Sequence, residues 1–330
     1  MSDRELRTCP LSGRRTLVAA GRTERPGGTL AVAPLEQLDP QSDPFLEGHE
    51  AQTPPEVDAD RPAGSPPNGP GWQVRVVPNR YPLLAPDAPQ PPAEAVTDLF
   101  AASPARGAHE VIIQSPNALV SLAQLPAAQV ERAVAMWQRR LRAHADAPAR
   151  HLIVNERPQA GASQPHTHAQ LLTFPVVPAA LARERERAAA YTLQTMGGDL
   201  TADLLQEEVR RRERVVAIDD DAVLLAPFAS RAAYHLTIVP RRAALRIEQQ
   251  ADGIAGAMLH RALTALARRF DAPVPLNLWV RTAVAGAERT SWRIELLPAL
   301  ARPGGVELGA GIDVCTVAPE QAAAELRACC

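Results

Sequence analysis

The 330-residue chain contains no lysine, so all 35 of its basic side chains are arginines. That absence removes chemistries that need an amine. A P-loop requires its Gly-Lys-Ser/Thr step and a Schiff base requires a lysine, and neither can be assembled here. Cysteine is scarce too: Cys9, Cys315, Cys329 and Cys330 form no Cys-x-x-Cys pair, which implies neither a disulfide framework nor a cysteine zinc cage. Aromatic residues are few, with five Phe, four Trp and three Tyr, and leave little for stacking bases. Neither sign of charge dominates: 37 acidic against 35 basic residues gives −2, which argues against a nucleic-acid partner held by a broad basic field. No run of about 18 apolar residues occurs, and the opening Met-Ser-Asp-Arg-Glu-Leu-Arg is charged where a signal peptide is apolar. A cytoplasmic protein without membrane association is expected.

What is present is 46% hydrophobic residues and 32 prolines, enough for a large core interrupted by many ordered turns. Residues 1–70, rich in Gly and Pro, read as an irregular arm with one strand-like run at 16–20. Alternating apolar residues predict strands at 72–77, 110–114 and 151–155. Val130, Val134, Trp137 and Leu141, spaced by four, three and four, predict a helix over 127–145. The second half repeats this order, with strands at 234–239, 276–281 and 292–297 and a helix at 253–270. His-Glu-Val-Ile-Ile at 109 matches His-Leu-Thr-Ile-Val at 235 with an offset of 126; Pro-His-Thr-His-Ala-Gln-Leu-Leu at 165 matches Thr-Ser-Trp-Arg-Ile-Glu-Leu-Leu at 290 with an offset of 125. Two nearly equal offsets point to an internal duplication, with units at 1–178 and 179–330. A charged helix over 179–214, broken at Gly197-Gly198, joins them. Its Arg-Glu-Arg-Glu-Arg run at 183–187 reads as a solvated face with ion pairs along the helix rather than a phosphate patch. Trp137, Trp279 and Trp292 lie on apolar segments and read as core.

The stretch from Asn155 to Gln170 holds a polar loop, a small-residue turn at Gly161-Ala162-Ser163, and then polar residues entering an apolar strand. In a strand His166, His168 and Gln170 share one face. Three polar groups on one face of an otherwise apolar strand need a reason. His-x-His is a common metal-ligand pair, although no carboxylate or cysteine partner stands out nearby. Two histidines satisfied by loop carbonyls are the plainer alternative. The third possibility is a neutral imidazole that attacks phosphorus, with one ring nitrogen held by an acceptor and donors around the developing charge. Residue chemistry alone leaves these three open. Gly161 to Pro165 also resembles part of a serine-hydrolase elbow, but Pro165 stands where the final glycine belongs.

Gly-Ala-Ser-Gln-Pro-His-Thr-His-Ala-Gln at 161–170 resembles the active-site motif Gly-x-Ser-x-Pro-His-x-His-x-Gln of the galactose-1-phosphate uridylyltransferase family, the transferase branch of the histidine triad superfamily. Further blocks resemble the family in order: Cys9 to Gly13, Arg22 to Pro26, Asp43-Pro44-Phe45, Val76 to Leu83, His109 to Ile113, and Ile294 to Pro298. The resemblance implies an α+β class with a duplicated HIT-like fold, two half-barrel antiparallel sheet units with packed helices, and commonly a homodimer. It implies that His168 is the nucleophile taking a nucleoside monophosphate from a nucleotide sugar, with His166 beside it. Gln170 would hold the phosphate, Ser163, Gly161 and Asn155 would donate to its oxygens, and Arg22, Arg25 and Asn79 would lie near the nucleotide. Glutamine at 170, where hydrolase relatives carry histidine, fits transfer better than hydrolysis. The expected partners are a nucleotide sugar, UDP-glucose by default, and a hexose 1-phosphate, galactose 1-phosphate by default. The alternatives are a phosphorylase or hydrolase of a nucleotide sugar or dinucleoside polyphosphate, and a non-catalytic nucleotide-binding protein.

The chain also departs from the family. Many members hold a structural zinc with two cysteines, a histidine after a Ser-Pro step and the first active-site histidine. Here those positions read Asp43, Leu46 and Ala118, leaving His166 alone, so no zinc and no other cofactor is expected and His166 is expected to be held by hydrogen bonds, with Asp43 as a partner. Ser291 and Arg293 likewise stand where some members carry second-unit histidines for another metal.

Overall fold

In the computed structural model, which describes residues 4–24, 30–92 and 99–330, the alternating runs of the sequence become strands whose successive side chains part to opposite faces. Ten of them form one antiparallel sheet. The first half supplies β3 (Asp58–Asp60), β4 (Val74–Pro78), β5 (His109–Ile113), β6 (Ala149–Glu156) and β7 (His168–Phe174). The second supplies β8 (Val215–Ile218), β9 (Ala222–Leu225), β10 (Leu236–Pro240), β11 (Leu276–Arg281) and β12 (Arg293–Pro298). Their order is β3-β4-β5-β7-β6-β11-β12-β10-β9-β8. Read outward from the β6–β11 junction, both halves run through the same succession of strands. The repeat therefore has a structural counterpart, and the two units share a single sheet, joined by pairs such as Leu278 with Val154 and Leu276 with Glu156.

One face of this sheet is apolar and covered by two helices, α1 (Ala127–Ala143) before β6 and α4 (Gly256–Phe270) before β11. Val130, Val134, Trp137 and Leu141 of α1 and Leu259, Leu263 and Leu266 of α4 are buried in one cluster with Ile112, Leu152, Ala169, Leu171, Leu278, Ile294 and Leu296. Each Val, Leu or Ile side chain among them contributes about 1.5–3 kcal/mol by leaving water. The helices also pack on each other. The Gln138 amide donates to the Ile247 and Ala251 carbonyls and accepts from the Gly253 N–H. At Gly256 a Cβ would fall 2.8 Å from the Glu131 Cα, so only glycine permits this approach.

The joining segment forms two helices, α2 (Ala179–Gln194) and α3 (Leu200–Arg211), with Asp199 capping the second through the Thr201 and Ala202 N–H groups. The α2 charges are not paired along the helix as expected. Glu184 binds Arg293, Arg185 donates to the Ala285 carbonyl and Arg187 to that of Pro10, so the run tethers α2 to the second half and to the arm. The arm is itself ordered into β1 (Glu5–Thr8) and β2 (Arg15–Val18), and β2 pairs in parallel with β13 (Ile312–Cys315). Helices α5 (Gly305–Ala310) and α6 (Pro319–Arg327) flank β13. Trp137 and Trp292 are core residues, whereas Trp279 faces away from the helices and lines a cavity, because it lies out of phase with its neighbours Leu278 and Val280. Among the described residues no helix is long and apolar enough to cross a membrane.

Candidate active site

Strand β7 begins at His168, and alternation sends Ala169 and Leu171 into the core while His168 and Gln170 emerge on the opposite face. Thr167, just before the strand, fixes the approach. Its N–H donates to the Leu119 carbonyl, its hydroxyl donates to Glu156, and the Gln114 amide donates to that same hydroxyl. Glu156 also accepts from the Ser121 hydroxyl at 2.6 Å and the Leu122 N–H. Complete burial outweighs these donors and pushes the Glu156 carboxyl up to about 7.

The two imidazoles have different tasks. His166 is buried, with Nδ1 2.7 Å from Asp43 Oδ2 and Nε2 2.9 Å from the Ser115 carbonyl. The carbonyl only accepts, so Nε2 donates to it, and Nδ1 faces the Asp43 carboxyl. The His166 carbonyl accepts from His168 Nδ1 at 2.8 Å, which places the His168 proton on Nδ1 and the lone pair on Nε2. Burial lowers the His168 pKa from its ordinary value, against the opposing hydrogen bond to the carbonyl, and so favours the neutral ring. Phe45 packs on both rings, its centroid 5.2 Å from that of His168 and 6.1 Å from that of His166.

Gln170 is oriented by His109 on the neighbouring β5. The Leu83 N–H donates to His109 Nδ1, so the His109 proton is on Nε2 and is donated to Gln170 Oε1 at 2.8 Å. The Gln170 amide hydrogens are thereby left for a ligand. Asn79 accepts from the Tyr81 N–H through Oδ1, which turns its own amide nitrogen toward His109.

His168, Gln170, Ser163 and Asn79 line one cavity of about 340 Å³, together with Phe45, Arg80, Tyr81 and Gln164. These last four and His109 were not read as site residues from the sequence. A signal was present for Arg80 and Tyr81, a cation and an aromatic directly after Asn79, and Tyr81 is 79% exposed.

Other expected residues lie elsewhere. His166 does not line the cavity and acts through its carbonyl. Asn155, on β6 beside β7, does not line it either and accepts from the Asn277 amide at 2.9 Å. Gly161 has a left-handed φ of 86° and spends its N–H on the Pro158 carbonyl, so it shapes the turn instead of donating to phosphate. Buried Arg157 anchors that turn through Glu36 and the Ala33, Pro34 and Pro273 carbonyls. Arg22 is exposed in the 3-10 turn Ala20–Glu24 and is not a cavity residue, because β2 carries the arm to β13. Arg25 lies outside the described residues. The family's zinc positions do not fit a metal: Leu46 and Ala118 carry no donor, and both His166 ring nitrogens are engaged by Asp43 and Ser115.

The chain is similar in sequence and fold to known proteins. Residues 1–178 match the model of galactose-1-phosphate uridyl transferase, N-terminal domain. ADP-glucose phosphorylase of Arabidopsis thaliana is 25% identical over 335 residues, covering 98% of this chain and 92% of its own length. Galactose-1-phosphate uridylyltransferase of Rattus norvegicus is 26% identical over 339 residues, covering 98% and 86%. The fold is that of the crystal structure of the Arabidopsis thaliana ADP-glucose phosphorylase with bound ADP-glucose, at a TM-score of 0.80, 24% identity and 98% coverage of both chains. With its N-terminal half matched and its histidines set as described, the chain belongs to the galactose-1-phosphate uridyl transferase family of nucleotidyl-transferring enzymes.

Proposed function

We propose that the protein transfers a nucleoside monophosphate from a nucleotide sugar to a phosphate oxygen of an acceptor by way of a covalent intermediate on His168. The observation that carries this is the bond from His168 Nδ1 to the His166 carbonyl, which leaves the Nε2 lone pair of a cavity-lining ring as the nucleophile. Nε2 attacks the α-phosphorus, the bond from phosphorus to the sugar phosphate oxygen breaks, and the sugar 1-phosphate leaves with the electron pair. The ring becomes positively charged, and the carbonyl on Nδ1–H stabilises it. The Gln170 amide donates to the phosphoryl oxygens, and Ser163 stands at the same wall. The acceptor oxygen then attacks phosphorus and the N–P bond breaks, restoring neutral His168. Gln170 has no proton to give, which suits a phosphate acceptor, already ionised, better than water.

UDP-glucose with galactose 1-phosphate is the first pair assigned. ADP-glucose with inorganic phosphate is the second reading, favoured by the full-length likeness to the plant phosphorylase. No step uses a metal. Incubation with either nucleotide sugar alone, followed by intact-protein mass, is expected to show an acid-labile uridylate or adenylate that persists in chelator and is lost in His168→Asn. Adding galactose 1-phosphate or inorganic phosphate in separate tubes identifies the acceptor by which one discharges the label. No adduct from any common nucleotide sugar would overturn transfer in favour of simple nucleotide binding. A homodimer is part of the proposal, and light scattering tests it.

A further inference from the structure

The polar face of the second half holds a cavity that this chemistry leaves unused. Its floor repeats the first site. The Arg231 N–H donates to His235 Nδ1 and His235 Nε2 donates to Glu295 Oε2 at 2.9 Å, as Leu83, His109 and Gln170 do in the first half. Arg293, at the repeat position of His168, is buried and neutralised, with Nε 2.6 Å from Glu295 and a terminal nitrogen 2.6 Å from Glu184. Above it lies a cavity of about 130 Å³, walled by Leu204, Leu205, Phe228, Val239 and Trp279 and bounded by arm residues between Cys9 and Arg14. That is room for a single ring or short chain.

Two guanidinium groups on this wall are left over. Arg281 Nε is 3.8 Å from Glu184, which Arg293 already holds, and Arg231 Nε is 3.4 Å from Asp313, which Arg14 already holds with two hydrogen bonds. Glu208, also on the wall, is bound to Arg214. Among the described residues, the buried Nε atoms of Arg231 and Arg281, the Trp279 Nε1 and the Thr201 Oγ have no hydrogen-bond partner, and all four residues line this cavity. Both guanidinium carbons lie over the Trp279 ring, at 5.5 and 5.6 Å. Four arginines therefore face three carboxylates, Glu184, Glu295 and Asp313, and unpartnered buried donors cost stability until an acceptor arrives.

We propose that this cavity binds a small organic anion, a carboxylate or phosphate monoester on an apolar ring or short chain, with the anionic group on Arg231 and Arg281 and the apolar body against Phe228 and the α3 leucines. The site is independent of the nucleotidyl-transfer reading. The test is thermal unfolding of the full chain with benzoate, phenyl phosphate, inorganic phosphate and uncharged benzyl alcohol in separate series. Benzoate or phenyl phosphate is expected to raise the midpoint in a saturable way, and which of the two does so identifies the anionic group. Benzyl alcohol and inorganic phosphate are expected to have little effect. The shift should vanish in Arg281→Gln and in Leu204→Trp, which fills the cavity without touching a charge, and should persist in His168→Asn. No shift from either organic anion, an equal shift from benzyl alcohol, or a shift retained in both cavity variants overturns the proposal. Loss in His168→Asn overturns it too, since the ligand would then occupy the first cavity.

Discussion

Gln170 can serve a phosphoryl group only if its amide hydrogens face the ligand, and that choice is made by one proton on His109. His109→Phe is expected to let the carboxamide turn over and to lower kcat about a hundredfold, the order of one lost transition-state donor, with little change in KM. His109→Gln, which keeps a donor on the ring's side, should recover part of it; steady-state kinetics on the three proteins decides. Glu156 gives a pH dependence of stability. Its carboxyl ionises near 4.5 when unfolded and near 7 when folded. Below pH 4.5 both states are protonated and the folded state is most favoured by this group; stability then falls as pH rises from 4.5 to 7, by about 3 kcal/mol, and is level above. Denaturant titrations across that window should show the loss in the native protein and not in Glu156→Gln. That His168 and Gln170 share a face was legible because strand spacing puts side chains two apart on one face, whereas His166 precedes the strand and stays out of the cavity; its Asp43 partner was read from the family zinc position that Asp43 occupies. His109 and Gln170 are 61 residues apart, and only strand pairing brings them together.

Helix α2 shows what periodicity cannot convey. Its Arg-Glu alternation suits a solvated helix, yet Glu184 serves a buried arginine on β12. Glu184→Ala leaves Arg293 with one carboxylate instead of two and is expected to cost about 3 kcal/mol, measured by chemical denaturation. Adding Arg293→Met is expected to deepen the loss, because Glu295 is then a buried carboxylate without its cation. Strands β5, β6, β10, β11 and β12 and helices α1 and α4 were readable within two or three residues at each end, since each carries several turns or alternations of apolar residues. Strands β8 and β9 were not: Val215–Ile218 and Ala222–Leu225 are four residues each and nearly all buried, so neither period has room to appear. β13 was missed because its partner, β2, lies almost the whole chain away, and β1, four residues in a hairpin with β2, is too short for either period to appear.

Across the whole molecule, the offsets of 125 and 126 residues exposed the duplication, but not that the copies meet edge to edge. Because β6 pairs with β11 along five residues, neither unit has a finished sheet alone. The chain is expected to unfold in one transition with equal calorimetric and van't Hoff enthalpies, and two polypeptides divided after residue 178 are expected to aggregate when made separately; two resolved transitions would count against this. The arm adds an order of events. β2 pairs with β13, so Arg15 meets Ile312 only after nearly all the intervening chain has been made. On the ribosome the first hairpin must wait for its β13 partner through most of synthesis, and the wall it gives to the second cavity is braced only once β13 has been made.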